Sequence, residues 1–157
     1  MSRENVRVAI DCDDAAVELK KIIYNHMISK GIAINDLNYA ATGNNTYPEI
    51  GYNLALKIKA GEYDRGILIC GTGLGMAMIA NKVEGVYAGV CHDVFSAERL
   101  VKSNNAQVLT MGARVIGSEL AKMIVDVWMN SEFEGGRSLP KVEKMHLLEK
   151  NSFHQDA

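Results

Sequence analysis

The segment that most constrains the fold is Gly66-Ile67-Leu68-Ile69-Cys70, an unbroken apolar run that passes straight into Gly71-Thr72-Gly73-Leu74-Gly75. A strand without polar alternation is covered on both faces, as in a parallel sheet packed between helices. Met76 to Lys82 reads as the helix that follows. The flanking sequence repeats this alternation. Val6 to Ile10 reads as a strand ended by Asp11-Cys12-Asp13-Asp14. Val17, Leu19, Ile22, Ile23 and Met27 then trace a helix closed by Gly31. Ile32 to Tyr39 predicts a second strand. Thr46-Tyr47-Pro48-Glu49 has the form of a capping box, with Thr46 as N-cap and Glu49 at N3, ahead of a helix presenting Ile50, Leu54 and Ile58. Val86 to Val90 and Ala106 to Met111 supply two more strands. Helices are expected over Val94 to Lys102, from a Ser118 cap through Trp128, and over Leu139 to Lys150.

Strands alternating with helices at this spacing imply an α/β chain, a five-stranded parallel sheet with helices on both faces. With two prolines in 157 residues and no linker or repeat, residues 1–157 are expected to form one domain. The formal net charge of −2 provides no basic field, which argues against nucleic-acid binding. No apolar stretch approaches the ~20 residues of a membrane span, and Met1 to Asn5 lack an apolar leader, so a cytoplasmic protein is expected. Cys12, Cys70 and Cys91 are odd in number and show no CxxC spacing, which argues against a disulfide framework or a zinc-ligand pair. Taken alone, each is an ordinary core thiol, and Met76, Met78, Met111 and Met123 are expected in the core as well.

In parallel sheets ligands bind beyond the carboxyl ends of the strands. This directs attention to the loops Asp11–Asp14, Ala41–Thr46, Cys70–Gly75, Cys91–Asp93 and Gly112–Gly117. A strand, a GxGxG loop and a helix together present backbone N–H groups to an anion. The spacing is not GxGxxG, and no acidic residue ends the next strand, so a dinucleotide is the weaker reading; a glycine turn without a ligand is another. Cys70 sits just before this N–H cluster, which favours a thiolate. Such a thiolate can take a proton from a carbon beside a carbonyl, with loop N–H groups and Thr72 holding the enediolate oxygen. Position alone leaves a nucleophilic cysteine open, with His92 the available partner. Asp13 suits either a sugar hydroxyl or an N-cap, Asp14 more simply a cap. Arg114 and Arg137 are candidate phosphate ligands.

Asp64-Arg-Gly-Ile-Leu-Ile-Cys-Gly-Thr-Gly-Leu-Gly-Met76, Ala80-Asn-Lys-Val83, Cys91-His-Asp-Val-Phe-Ser-Ala97, Met111-Gly-Ala-Arg-Val-Ile-Gly117 and Phe133-Glu-Gly-Gly-Arg137 closely resemble the ribose-5-phosphate isomerase B family. That family includes galactose-6-phosphate isomerase subunits and tetrose-phosphate isomerases. The resemblance runs from Val6 to about Met145. It implies a Rossmann-like three-layer sandwich that forms homodimers or homotetramers with sites at the subunit interface, the helix at about 139–150 contributing to it. It also implies a phosphorylated small sugar as substrate, and no metal or organic cofactor. Carried across, Cys70 matches the proton-abstracting base, and Thr72 with Gly71, Gly73, Leu74 and Gly75 matches the anion hole. Asp13, Tyr47 and Asn104 match hydroxyl contacts, with Asp14 beside them. Arg114 and Arg137 match phosphate ligands, Arg137 reaching in from a neighbouring subunit.

Three departures bear on the substrate. Asp13-Asp14 stands where the ribose-phosphate enzymes read Asp-His, and Lys141 where a second phosphate-binding arginine is usual. Ser103-Asn104 replaces the His-Asn pair whose histidine opens the furanose ring. An aldotetrose 4-phosphate has its 4-oxygen esterified and cannot close that ring, so it needs no ring-opening acid at position 103. The stretch Ser103 to Arg114 also resembles the tetrose-phosphate branch, which interconverts D-erythrulose 4-phosphate and D-erythrose 4-phosphate. Ribose 5-phosphate remains the alternative, with His92 as a displaced imidazole. Half of a mixed galactose-6-phosphate isomerase assembly, or a non-catalytic sugar-phosphate binder, are the others.

Overall fold

The computed structural model describes residues 5–43 and 46–155. In chain order the elements are β1 (Val8–Cys12), α1 (Val17–Ser29), β2 (Ile34–Asp36), α2 (Tyr47–Lys59), β3 (Arg65–Cys70), α3 (Leu74–Ala80), β4 (Ala88–Val90), α4 (Val94–Lys102), β5 (Val108–Gly112), α5 (Ser118–Met129) and α6 (Leu139–Phe153). Every strand pairing is parallel, and the spatial order is β2-β1-β3-β5-β4. The chain is therefore the expected Rossmann-like α/β sandwich. Residues of α1, α4 and α5 build the core on one face of the sheet and residues of α2 and α3 the core on the other. The central strands β1, β3 and β5 are buried throughout apart from Arg65, so an uninterrupted apolar run is the pattern this sheet requires.

The chain winds outward from β1 to β2, then returns to lay β3 on the other side of β1. This reversal opens a crevice at the carboxyl ends of β1 and β3. There Cys12 pairs with Ile69, Cys70 pairs with Gly112, and the Asp13 N–H donates to the Ile69 carbonyl at 3.2 Å. The first, third and fifth strands thus deliver Asp13, Cys70 and Arg114 side by side.

Several local expectations need correction. β1 begins and ends two residues later than read, because Asp11 lies inside it. The buried Asp11 carboxylate accepts N–H groups from Cys12 at 2.9 Å and Tyr39 at 3.0 Å. β2 stops at Asp36, since Asn38 adopts φ 45° and the chain turns into a short 3-10 segment, Tyr39–Thr42. Thr46 does precede α2 with extended backbone, but its hydroxyl donates to the Glu49 carboxylate, and its side chain caps no N–H. Gly117, not Ser118, is the N-cap of α5, and Asp13, not Asp14, caps the short 3-10 turn that leads into α1. Met76 and Met111 are fully buried, whereas Met78 and Met123 are exposed, on helix faces turned away from the sheet. Helix α6 buries only Val142. It is attached to the β4 side by the stacking of His146 on Tyr87 at 4.9 Å and by Glu149, which accepts the Gly85 N–H at 3.1 Å and the Tyr87 hydroxyl. Among the described residues no helix is long and apolar enough to cross a membrane.

Candidate active site

Cys70 ends β3 with its side chain almost fully buried, and the Gly73 N–H donates to its Sγ at 3.1 Å. The loop makes this contact by turning back at Gly73, whose φ is +79°. A Cβ there would also stand 2.8 Å from the Met111 backbone carbonyl carbon, so only glycine meets both requirements. Buried Thr110 secures the turn by donating to the Gly73 carbonyl at 2.9 Å. Gly112 lies against Thr72, with a Cβ there only 2.6 Å from its backbone. The Cys70 carbonyl accepts the Ala113 N–H at 2.8 Å, and the Gly71 carbonyl accepts the Arg114 N–H at 3.0 Å. The thiol thus sits in a cradle of backbone anchored at several points.

The Gly73 N–H, expected at the substrate oxygen, is committed to sulfur instead. Burial pushes the Cys12 thiol up to about 12 and the Cys91 thiol up to about 11. Thr72 is exposed beside Cys70 and accepts the Leu74 N–H at 3.3 Å, which leaves its O–H free to donate outward. α3 has only seven residues, and the Gly73 and Leu74 N–H groups at its start are taken by Cys70 and Thr72.

Arg114 lies across Gly71, its Nη1 3.3 Å from where a Cβ would be. Asp13 borders the same space, its Oδ1 accepting the Ala15 N–H at 3.0 Å. Burial raises its pKa, against the opposing pull of that N–H and of Arg114. The Tyr47 ring packs on Gly75, within 2.6 Å of an added Cβ, and Leu74 is exposed next to it. Asp14 is exposed beyond the crevice. His92, at the end of β4, accepts the Gly112 N–H on Nε2 at 2.9 Å, so that nitrogen is held by backbone.

The remaining candidates are elsewhere. Ser103 and Asn104 follow α4 and so lie at the amino edge of the sheet. The Glu134 N–H donates to the Lys102 carbonyl at 3.2 Å, which brings the segment leading to Arg137 to that same end. Arg137 and Lys141 are exposed. The five residues of β5 separate this group from Arg114, roughly 16 Å at 3.3 Å per residue. The candidate residues of one chain therefore fall into two groups at opposite edges of the sheet. The sequence reading missed the supports Asp11 and Thr110. A polar residue inside an otherwise apolar strand was the available signal for both. Among the described residues no group of three or more His, Cys, Asp or Glu side chains forms a metal site.

The ribose/galactose isomerase family model matches residues 8–145. The D-erythrulose-4-phosphate isomerase of Pectobacterium atrosepticum is 52% identical over 149 residues, covering 94% of this chain and 98% of that protein. Ribose-5-phosphate isomerase B of Escherichia coli is 40% identical over 143 residues, covering 91% and 96%. Among solved structures, ribose-5-phosphate isomerase B of Clostridium thermocellum superposes with a TM-score of 0.88 at 38% identity, covering 94% of this chain and 99% of that one. With the family model spanning most of the chain, and sequence relatives and solved structures in agreement over more than nine-tenths of it, the chain belongs to the ribose/galactose isomerase family.

Proposed function

We propose that this protein interconverts D-erythrulose 4-phosphate and D-erythrose 4-phosphate, with Cys70 as the base. The observation that carries the reading is the Cys70 thiol at the crevice, held by the Gly73 N–H at 3.1 Å beside the exposed Thr72 hydroxyl. The thiolate removes a proton from C1 of the ketose, the C1–C2 bond gains double-bond character, and the C2 carbonyl oxygen becomes the enediolate oxygen facing Thr72. Return of the proton to C2, with the hydroxyl proton moving from O1 to O2, gives the aldose without added oxidant or metal. Arg114 binds the phosphate, and Asp13 and Tyr47 orient hydroxyls.

A second copy of the chain completes the site. Its Asn104, Arg137 and Lys141 face a first-copy Cys70 under a two-fold axis, which makes two equal sites per dimer. The exposed apolar residues Leu139, Met145 and Leu148 of α6 suit the same contact.

Ser103 at the ring-opening position supports a four-carbon substrate, and the 52% identical D-erythrulose-4-phosphate isomerase agrees with that choice. The His92 Nε2 bond to Gly112 weighs against ribose 5-phosphate, because that nitrogen of the displaced imidazole is already taken by backbone. The test is kcat/KM on D-erythrulose 4-phosphate and D-ribose 5-phosphate side by side. A preference of about a hundredfold for the tetrulose phosphate, some 2.7 kcal/mol of discrimination, is expected. A preference for ribose 5-phosphate overturns the substrate assignment, and activity on neither overturns the reading as a whole.

A further inference from the structure

Arg99 lies one helical turn before Ser103 on α4 and has no part in the roles assigned above. Its Nη1 donates to Ser103 Oγ at 3.3 Å. Nη2 lies 3.4 Å from Glu98, and Nη1 lies 4.0 Å from Glu134. The guanidinium carbon is 6.0 Å from the centroid of the exposed Phe95 ring. Its Nε is buried with no acceptor. Two carboxylates and a ring hold this guanidinium along α4, with Nη1 turned to Ser103.

A serine hydroxyl offers one proton and two lone pairs, while arginine only donates. With Arg99 on a lone pair, the Ser103 proton is directed to some other acceptor, and the adjacent positive charge strengthens it as a donor. An imidazole at this position can take a proton from one sugar oxygen and give it to another, as ring opening requires. Serine with one lone pair held by arginine is oriented to give a hydrogen bond, and it has no imidazole to carry a proton from one sugar oxygen to another. It suits a substrate that is already open.

We infer that Arg99 is a specificity-determining positioning residue: through Ser103 it presents a hydrogen-bond donor to an interior oxygen of an open-chain sugar phosphate in the partner's site. The inference rests on the proposed function. A competing role is a brace, with Arg99 merely holding Glu134 and the segment leading to Arg137 against α4.

The two roles separate by substrate. In the full-length protein, Arg99→Leu should lower kcat/KM on D-erythrulose 4-phosphate about tenfold, the worth of one hydrogen bond to the reacting complex. Its kcat/KM on D-ribose 5-phosphate should stay within roughly twofold. Arg99→Lys, which keeps the charge without the planar fork, should recover part of the loss. Arg99→Leu combined with Ser103→His should raise turnover of ribose 5-phosphate about tenfold or more above the wild type, because an unblocked imidazole then stands at the ring-opening position. If Arg99→Leu does not fold, Arg99→Gln reads the same ratio. Equal losses on both substrates establish the brace and overturn the inference while leaving the proposed function standing. No change on either substrate overturns it too. A wild-type protein inactive on both substrates overturns the proposed function and this inference together.

Discussion

The two groups of candidate site residues, at opposite edges of the sheet, are built on different principles. The carboxyl edge is made of backbone: Cys70, Gly71, Gly73 and Gly112 interlock at distances that admit no Cβ at Gly73 or Gly112, and Thr110 fastens the turn from below. The amino edge is made of side chains on the end of α4 and the start of α6, linked by ion pairs among Glu98, Arg99, Lys102 and Glu134. A site made of backbone changes only with the fold. One made of exposed side chains changes with a single substitution. Two of the three departures from the ribose-phosphate pattern, Ser103 and Lys141, fall on the second half. The proposed proton transfer is thus assigned to the rigid edge and the proposed substrate choice to the variable one.

The largest expected effect tests the rigid edge directly. Cys70→Ala removes the group proposed as the base, and kcat should fall about a thousandfold or more, at the upper range for a general base. Binding of the sugar phosphate, measured by calorimetry, should persist because its phosphate and hydroxyl contacts are untouched. Retention of turnover would assign the base elsewhere.

Gly73→Ala is a geometric version of the same test. The new Cβ meets the Met111 backbone at φ +79°, and strain of this kind costs on the order of 1–3 kcal/mol. The Gly73 N–H must then shift from the Cys70 sulfur. Activity should fall about a hundredfold and the melting temperature should drop. A stable protein with normal kcat would show that the N–H···S contact is dispensable.

The separation of the two edges is sharpened by mixing variants. Cys70→Ala and Arg137→Ala should each be impaired alone, since in the proposed homodimer each damages both sites. Co-expressed, they form hybrids in which one site receives both lesions and the other neither. Random pairing makes half the dimers hybrid, so activity should return to about a quarter of the wild type. Absence of recovery in proven hybrids would place Arg137 in the same subunit's site.

The contrast also explains what the sequence disclosed. The apolar run ending at Cys70 and the Gly71-Thr72-Gly73 spacing foretold the sheet and the rigid edge, because buried parallel strands and tight turns restrict residue type at each position. The capping details at Thr46 and Ser118 failed because neighbouring groups compete for one hydroxyl or one N–H, and sequence spacing does not decide that competition. Met78 and Met123 were misplaced because helical spacing identifies a face only when most of its neighbours are polar. Arg99 was passed over entirely. A charged residue on an amphipathic helix reads as solvated surface until its bond to Ser103 is seen.

The smallest effect is at Asp13, where stability and function oppose each other. Burial raises its pKa over the counteracting Ala15 N–H and Arg114, so the folded protein holds the proton more tightly than the unfolded chain. The sign follows: the ionised side chain costs stability at any pH above the raised value, and that cost disappears as pH falls below the ordinary carboxylate range. Asp13→Asn keeps an N-cap of equal quality and removes the charge. Its melting temperature at pH 7 should rise by about 1–2 °C, with the gain shrinking towards pH 3, while kcat/KM falls through loss of a carboxylate at the substrate hydroxyls. A drop in melting temperature at pH 7 would mean that Arg114 stabilises the carboxylate more than burial penalises it. Asp13 would then belong to the structure of the crevice as much as to its chemistry.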